Sequence, residues 1–137
     1  MQWLARREYG RRELTNRLLA KDYGTDEVET CLDALEAAGY LSDQRFVEAM
    51  INSRQARGYG PMRVRDELRQ RGLDRQLIDL AVDLADPTWI EVAGRAYRKR
   101  FGELVPADTK ERFRRMRFLY GRGFTSEQID QVLAGDA

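Results

Sequence analysis

No histidine occurs anywhere in this 137-residue chain, and Cys31 is its only cysteine. The first absence removes the side chain that most often acts as a general base near neutral pH and most often ligates metals. The second excludes a disulfide framework and leaves a lone thiol with no imidazole to activate it. Between Val28 and Leu32 in a helical stretch, Cys31 reads as a small buried hydrophobe. A phosphate-binding glycine loop is missing as well. Gly58, Gly60 and Gly72 are spaced as helix punctuation, and no lysine followed by serine or threonine accompanies them. Neighbouring carboxylates such as Asp66 and Glu67 point to different sides of a helix beside arginines, so they read as solvated charges. The inventory argues against an enzyme and implies no catalytic, metal or cofactor site. Long apolar runs are lacking too: nothing approaches the roughly 20 residues that span a bilayer. The opening MQWLARREYGRREL has no apolar core of a signal peptide. The expectation is a cytoplasmic protein with no membrane partner. Only three prolines interrupt a chain that is 34% charged, and strand patterns are nearly absent, so the class is all-α.

What is present is internal repetition. Gly10, Leu14, Leu18, Tyr23, Val28 and Leu32 align, 50 residues on, with Gly60, Val64, Leu68, Leu73, Ile78 and Val82. A fainter third copy places Leu119, Phe124, Ile129 and Leu133 where Leu68, Leu73, Ile78 and Val82 stood. A repeat of this length signals stacked modules, each unable to bury its apolar face alone, and predicts an elongated array. The repeats fall at residues 1–42, 43–86 and 87–137.

Punctuation marks the helices. Thr25 is placed to cap a helix over Asp26–Ala38, which Gly39 would end. Pro61 follows Gly60 at a first helical position, and Gly72 closes Pro61–Arg71. Asp86 before Pro87 opens a helix carrying Trp89, Ile90, Ala93, Ala96 and Tyr97. Ser42 or Asp43 opens another, carrying Phe46, Val47, Met50 and Ile51. About nine helices in three groups of three are expected, with the longest gap at Gly102–Pro106.

Charge is near balance, at a net +1, but unevenly laid out. Asp26, Glu27, Glu29, Asp33 and Glu36 crowd one helix, while Arg54, Arg57, Arg63, Arg65, Arg69 and Arg71 crowd another region. Residues 95–122 hold ten basic groups, with Arg112, Arg114, Arg115 and Arg117 almost continuous. Arginine supplies most of the basic residues, and its planar fork suits bidentate recognition of phosphate or carboxylate. The plainer alternative is that these arginines decorate solvated helix faces, pairing with acids one turn away. Tyr23, Tyr40, Tyr59 and Phe124 sit beside helix-ending glycines, where an aromatic packed across the turn is the natural reading.

Two blocks carry a family resemblance. Gly39, Tyr40, Leu41, Asp43, Arg45 and Phe46 form the first, and Gly58, Tyr59, Gly60, Pro61, Arg63, Val64, Glu67 and Leu68 the second. Together they resemble the signature of the RecX family of bacterial recombination regulators. The flanks agree through Arg6, Arg7, Glu8, Glu13 and Leu14 at one end and Arg117, Phe118, Leu119, Arg122, Gly123 and Phe124 at the other. The pattern departs at Gly10, where many members carry serine, and at Arg115, which takes the slot of Leu14 and Val64. Met116 or Phe113 stands as an alternative occupant of that slot.

The resemblance implies three tandem three-helix repeats forming a curved, elongated monomer. It further implies a regulator that binds the RecA filament on single-stranded DNA and lowers its ATPase, strand-exchange and repressor-cleavage activities. Single- or double-stranded DNA itself is a further candidate partner. On that reading Arg54, Arg57, Arg63, Arg65, Arg69, Arg112, Arg114, Arg115 and Arg117 would meet filament or DNA. Gly39, Tyr40, Asp43, Arg45, Phe46, Gly58, Tyr59, Gly60, Pro61 and Leu68 would define the fold. Two rivals are a DNA-binding protein with helix-turn-helix-like modules and a helical adaptor for another protein. Against the first, the last helix of each module is its least basic, so it would repel phosphate.

Overall fold

The computed structural model describes residues 10–21, 23–38 and 42–135. Among the described residues there are eight helices and no strand. They are α1 (Arg11–Leu19), α2 (Thr25–Ala37), α3 (Asp43–Ala56), α4 (Pro61–Gln70), α5 (Arg75–Ala81), α6 (Thr88–Phe101), α7 (Thr109–Gly121) and α8 (Ser126–Ala134). The expected first helix of the N-terminal repeat falls on residues 1–9, and Gly39, Tyr40, Arg6, Arg7 and Glu8 likewise lie outside the described residues.

Compact packing divides the chain into two units. One comprises the described residues up to Met50 with Glu67–Ala81, the other Ile51–Asp66 with the described residues from Val82 onward. The units do not follow the sequence repeats, because α3 and α4 each begin in one and end in the other.

In the first unit, α1 packs on α2. Leu14, Val28 and Leu32, each 3% exposed or less, form its core with Leu18 and Leu35 against them. Burying each such leucine fully stabilises the fold by roughly 1.5–3 kcal/mol before the entropy cost of ordering it. Phe46, Val47 and Met50 of α3 and Leu68, Leu73 and Ile78 are buried as well. Three local expectations are corrected. Thr25 is the first residue of α2, whose cap position is Gly24 with no side-chain bond, and Asp26 and Glu27 instead complement the helix dipole in the first turn. Cys31 is exposed, since it lies one residue before the buried Leu32 and so 100° around the helix from the core stripe. Tyr23 is 52% exposed, although the equivalent Leu73 and Phe124 are buried.

In the second unit, α6, α7 and α8 pack on one another around Val92, Ala93, Ala96, Tyr97, Leu119, Phe124, Ile129 and Leu133. Thr125 and Gln128 form a reciprocal capping box at the start of α8. The Gln128 amide also donates to the Leu84 carbonyl at 3.1 Å, so both the nitrogen and the oxygen of this buried glutamine side chain have a partner. α6 begins at Thr88, two residues after Asp86, whose carboxylate accepts the Thr88 N–H at 2.9 Å.

The second helices of the three repeats satisfy their leading N–H groups in three different ways. At α1 the N–H of Arg11 donates to Asp43 Oδ1 at 2.8 Å, so a residue of α3 supplies the cap that Gly10 has no side chain to give. At α4 the leading residue is Pro61, which has no N–H, and Met62 N donates to the Gly123 carbonyl at 2.9 Å. At α7 the local Asp108 accepts from Glu111 N at 2.8 Å.

The tightest backbone approach in the second unit is at Gly60 and Gly123. Gly60 N donates to the Arg122 carbonyl at 2.8 Å. A Cβ on Gly60 would collide with the Gly123 carbonyl carbon and come within 2.6 Å of Phe124 N. Gly123 has φ +98, and a Cβ there would lie 2.6 Å from Arg63 Cβ. The homologous Gly10 is looser, with Leu73 and Phe46 side chains at 3.7 Å from its hypothetical Cβ. Gly60→Ala is therefore expected to cost about 1–3 kcal/mol through overpacking against backbone that cannot swing away. Gly10→Ala should cost less than about 1 kcal/mol, the cap preference alone. Thermal unfolding followed by circular dichroism checks this: equal melting temperatures for the two variants would contradict the close approach at Gly60.

Candidate functional site

A run of cations along a helix turns 100° per residue, so adjacency in sequence is not a patch. On α7, Arg112, Arg114, Arg115 and Arg117 are distributed around the axis, and Arg115 faces inward. It is 6% exposed and is not available to a partner. Its Nη1 donates to the Tyr97 hydroxyl at 2.8 Å and the Leu104 carbonyl at 2.7 Å, while Nε donates to Glu111 at 3.2 Å. Its guanidinium carbon lies 5.0 Å from the Phe101 ring centre. Arg115 thus occupies the slot filled by Leu14 and Val64, with its Nε and Nη1 donors all bonded within the protein. Phe113 is 58% exposed and does not replace it. The Leu104 contact also ties down the gap between α6 and α7.

The other sequence candidates are scattered. Arg112, Arg114 and Arg117 are exposed, with Arg114 bonded to Glu111 at 3.2 Å. Arg54 and Arg65 are half-buried, and Arg57 and Arg63 are exposed, all in the second unit. Arg69 is exposed and belongs to the first unit. Arg63 and Arg65, two residues apart on α4, point to nearly opposite sides of it. Arg71 is engaged in the first unit, bonding Glu13 at 3.1 Å. Among the motif residues, Asp43 is the cap described above, Phe46, Gly60, Pro61 and Leu68 are buried, and Gly58 turns the chain with φ +79. Arg45 is exposed and donates its N–H to the Ser42 hydroxyl at 3.1 Å, which makes Ser42 the cap of α3. Tyr59 is half-buried, with the Arg63 guanidinium 4.0 Å and that of Arg122 4.9 Å from its ring centre.

The convergence of charge lies elsewhere. A cleft of about 420 Å³ in the second unit, between the end of α3, α6 and α7, is lined by Arg57, Arg95, Lys99, Arg100 and Arg122 and by no carboxylate. Arg95 and Lys99 share a face of α6 by their one-turn spacing, and folding brings Arg57 and Arg122 to them. Arg122 is braced: its Nη1 donates to the Arg57 carbonyl at 3.2 Å and its guanidinium carbon lies 5.2 Å from the Phe118 ring centre. A second cleft, of about 590 Å³, mixes Glu91 and Glu103 with Arg95 and Arg98 and has no such bias. Only Arg57 of the cleft cations was among the sequence candidates. The legible signal for the rest was the pair Arg95 and Lys99 one turn apart, near a second cluster at Arg122. Among the described residues, no group of three or more carboxylate or thiol side chains comes together as a metal site would. Nor is any helix there long and apolar enough to cross a membrane.

Three family models match the chain in order. They describe the first, second and third three-helix domains of RecX, and match residues 1–35, 42–82 and 90–133. Proteins named Regulatory protein RecX are similar along nearly all of it. That of Acidithiobacillus ferrooxidans is 46% identical over 135 residues, covering 97% of this chain and 85% of the relative. The Pseudomonas fluorescens protein is 42% identical, with 98% and 87% covered. That of Halorhodospira halophila is 41% identical, with 98% and 83% covered. The crystal structure of RecX from Lactobacillus salivarius superposes with a TM-score of 0.81 over 98% of this chain and 89% of that one, at 17% identity. At that identity the likeness speaks for the fold.

The Arg115 network generates two expectations. Arg115→Ala removes a donor from the buried Tyr97 hydroxyl, at a cost of roughly 1–3 kcal/mol, while the carbonyl of the exposed Leu104 turns to water. Arg114→Ala, on the exposed side, should stay within about 0.5 kcal/mol. The bond from Arg115, aided by Arg114, holds the Glu111 carboxyl below its ordinary pKa against a smaller opposing effect of desolvation. A carboxylate with a depressed folded pKa contributes stability above its unfolded pKa of about 4.3 and loses it as pH falls through the folded value. The gap in urea midpoint between wild type and Glu111→Gln should therefore be present at pH 7 and close below about pH 4. A gap unchanged at pH 3 would contradict the ionic contact.

Proposed function

The chain belongs to the RecX family of regulatory proteins, and from that premise we propose that it regulates the RecA recombinase. It binds the RecA filament on single-stranded DNA and lowers ATP hydrolysis, strand exchange and repressor cleavage, in recombination, repair and the SOS response. The observation that carries this reading is the ordered match of three RecX domains along the chain, joined to the motif blocks around Asp43–Phe46 and Gly58–Leu68. The chemistry of the surface supports it. A protein with no histidine and one exposed thiol acts most simply by occupying a surface, and the charges it offers are of segregated sign. α2 carries five carboxylates and no cation, whereas the cleft of the second unit carries only cations. A set of linked three-helix modules meeting a filament of repeated protomers gains from effective concentration, because each contact after the first is intramolecular.

The helix-turn-helix alternative is disfavoured by the same charges. α2 and α8, the third helices of their repeats, contain no basic residue, and a recognition helix of that composition would be repelled from the phosphate-lined major groove.

The deciding measurement is steady-state ATP hydrolysis by RecA on single-stranded DNA, with this protein titrated well below the RecA concentration. Inhibition at substoichiometric protein, unaffected by excess duplex, is the expected result. No inhibition, or inhibition abolished by the duplex competitor, would overturn direct action on the filament.

A further inference from the structure

α7 carries two stripes of inward-packing character, and the fold of the second unit uses only one in full. Arg115 and Leu119 face the core, at 6% and 0% exposure. Phe113, Met116 and Tyr120 recur at i, i+3 and i+7 on another face, with Met116 turned 100° from Arg115. Met116 packs partly on the core, but Phe113 is 58% and Tyr120 70% exposed. With the buried Ile129 of α8 they line a groove of about 500 Å³ between α7 and α8, inside the second unit. We propose that this groove docks an amphipathic helix of a partner protein, one whose apolar stripe is bordered by carboxylates on one flank and by lysine or arginine on the other.

The plainer reading is that exposed aromatics are ordinary, since every folded protein leaves apolar surface in water. Single, scattered side chains fit that reading. Phe113 and Tyr120 are not scattered. They stand two turns apart on one helix, about 10 Å along its axis, with Met116 between them and Ile129 across the groove. That interval is the one at which an incoming helix presents its own anchors, at i, i+3 or i+4, and i+7. A helix laid between α7 and α8 would therefore meet two turns of matching apolar surface, the geometry by which side-chain ridges of one helix enter the groove of others.

The charges beside the groove say which helix fits. On α7 the groove is bordered by Arg117, and Lys110 stands on the same flank seven residues earlier. Among the described residues no carboxylate pairs with either, because Glu111 is taken by Arg114 and Arg115. On α8 the border is Asp130, with Glu127 one turn before it. Borders of opposite sign select a helix whose two flanks are of opposite sign, as the residues beside a coiled-coil seam do. The same borders turn other occupants away. A nucleic-acid strand would bring phosphates against Asp130 and Glu127. α7 of a second copy has Arg112 on one side of its stripe and Lys110 and Arg117 on the other, so cations would meet cations.

The test is fluorescence anisotropy of labelled 20-residue helical peptides with the full chain and without RecA, so failure here is separate from failure of the filament reading. Three peptides share a leucine stripe at i, i+3, i+4 and i+7. Their flanks are glutamate on one side and lysine on the other, glutamate on both, or lysine on both. The mixed-flank peptide should bind the wild type most tightly. Phe113→Ala and Tyr120→Ala change exposed side chains, so the fold is retained, and each should weaken that peptide about tenfold or more. The double variant Lys110→Glu, Arg117→Glu makes both borders acidic and should turn the lysine-flanked peptide into the tightest binder. The matched pair Arg95→Glu, Lys99→Glu on α6, outside the groove, should leave the ranking as in the wild type. No binding of the mixed-flank peptide at millimolar protein would overturn the proposal, as would a ranking that does not move when the α7 border is reversed. So would displacement of the peptide by oligo-dT at equal charge concentration, which would mark a nucleic-acid strand as the occupant. A wild-type dimer in sedimentation velocity that Tyr120→Ala abolishes would overturn it in favour of a second copy.

Discussion

The second unit depends on one backbone contact that tolerates no side chain. The turn before α4 and the turn after α7 meet through Gly60 N to the Arg122 carbonyl at 2.8 Å and Met62 N to the Gly123 carbonyl at 2.9 Å. These bonds take up donors at the start of α4 that no helix satisfies internally, and acceptors at the end of α7. The approach is possible only because both partners lack Cβ, and Gly123 in addition needs a left-handed φ of +98. Several neighbours are arranged by it. Phe124 follows directly into the core at 1% exposure, Arg122 is set where it reaches the Arg57 carbonyl, and Arg63 is brought over Tyr59. The motif glycine thus has a geometric cause, and the basic cleft beside it inherits its shape from the same joint.

Repeats that share a pattern need not share a chemistry at each position. The slot of Leu14 and Val64, 3% and 0% exposed, holds Arg115 in the third repeat at 6%. An apolar stripe is one way to fill such a site. The other is a long side chain whose stem packs while its head finds partners within the protein, here the Tyr97 hydroxyl, the Leu104 carbonyl and Glu111. Glu111 stands at the position of Gly10 and Gly60, so the third repeat has exchanged a glycine and an aliphatic residue for an ion pair one turn apart. The two changes make sense only together. A half-buried pair of this kind contributes little net stability relative to a well-packed leucine, but losing Glu111 leaves the buried Arg115 short of its counter-charge.

Periodicity made the helices legible because burial is what periodicity encodes. Every residue of the second and third repeat alignments is buried, from Val64 and Leu68 through Leu73, Ile78 and Val82 to Leu119, Phe124, Ile129 and Leu133. Helix starts were legible to within a residue or two, since Ser42 and Asp86 act through local bonds and Pro61 through its own fixed φ. Cys31 was misplaced by a single step around α2, which moves a side chain 100° and out of the core. The caps supplied from afar, such as Asp43 on Arg11, could not be read from neighbours in sequence, being 32 residues apart. Candidate contacts were the least legible. A density of arginine along the chain says how many cations there are, whereas a site needs their directions, and Arg115 pointing inward while Arg57 meets Arg122 is fixed only by tertiary packing.

Where the acids go decides what the arginines can do. The chain holds 24 basic and 23 acidic residues, so a random mixture would neutralise nearly every patch. Instead α2 gathers five carboxylates, two of which engage Arg11, and Glu13 takes Arg71. Glu111 takes Arg114 and Arg115. Each of these pairings removes an arginine from service at the surface and spends its fork on the fold, at a modest gain where solvent screens it. Five of the remaining cations stand on α6, at the end of α3 and at the end of α7, three places that the sequence separates and the second unit brings to one cleft. A partner therefore meets local charge of one sign even though the molecule as a whole is nearly neutral. That arrangement favours orienting an anionic surface at close range over steering it from afar, because the far field of a nearly neutral molecule cancels while the field at the cleft does not.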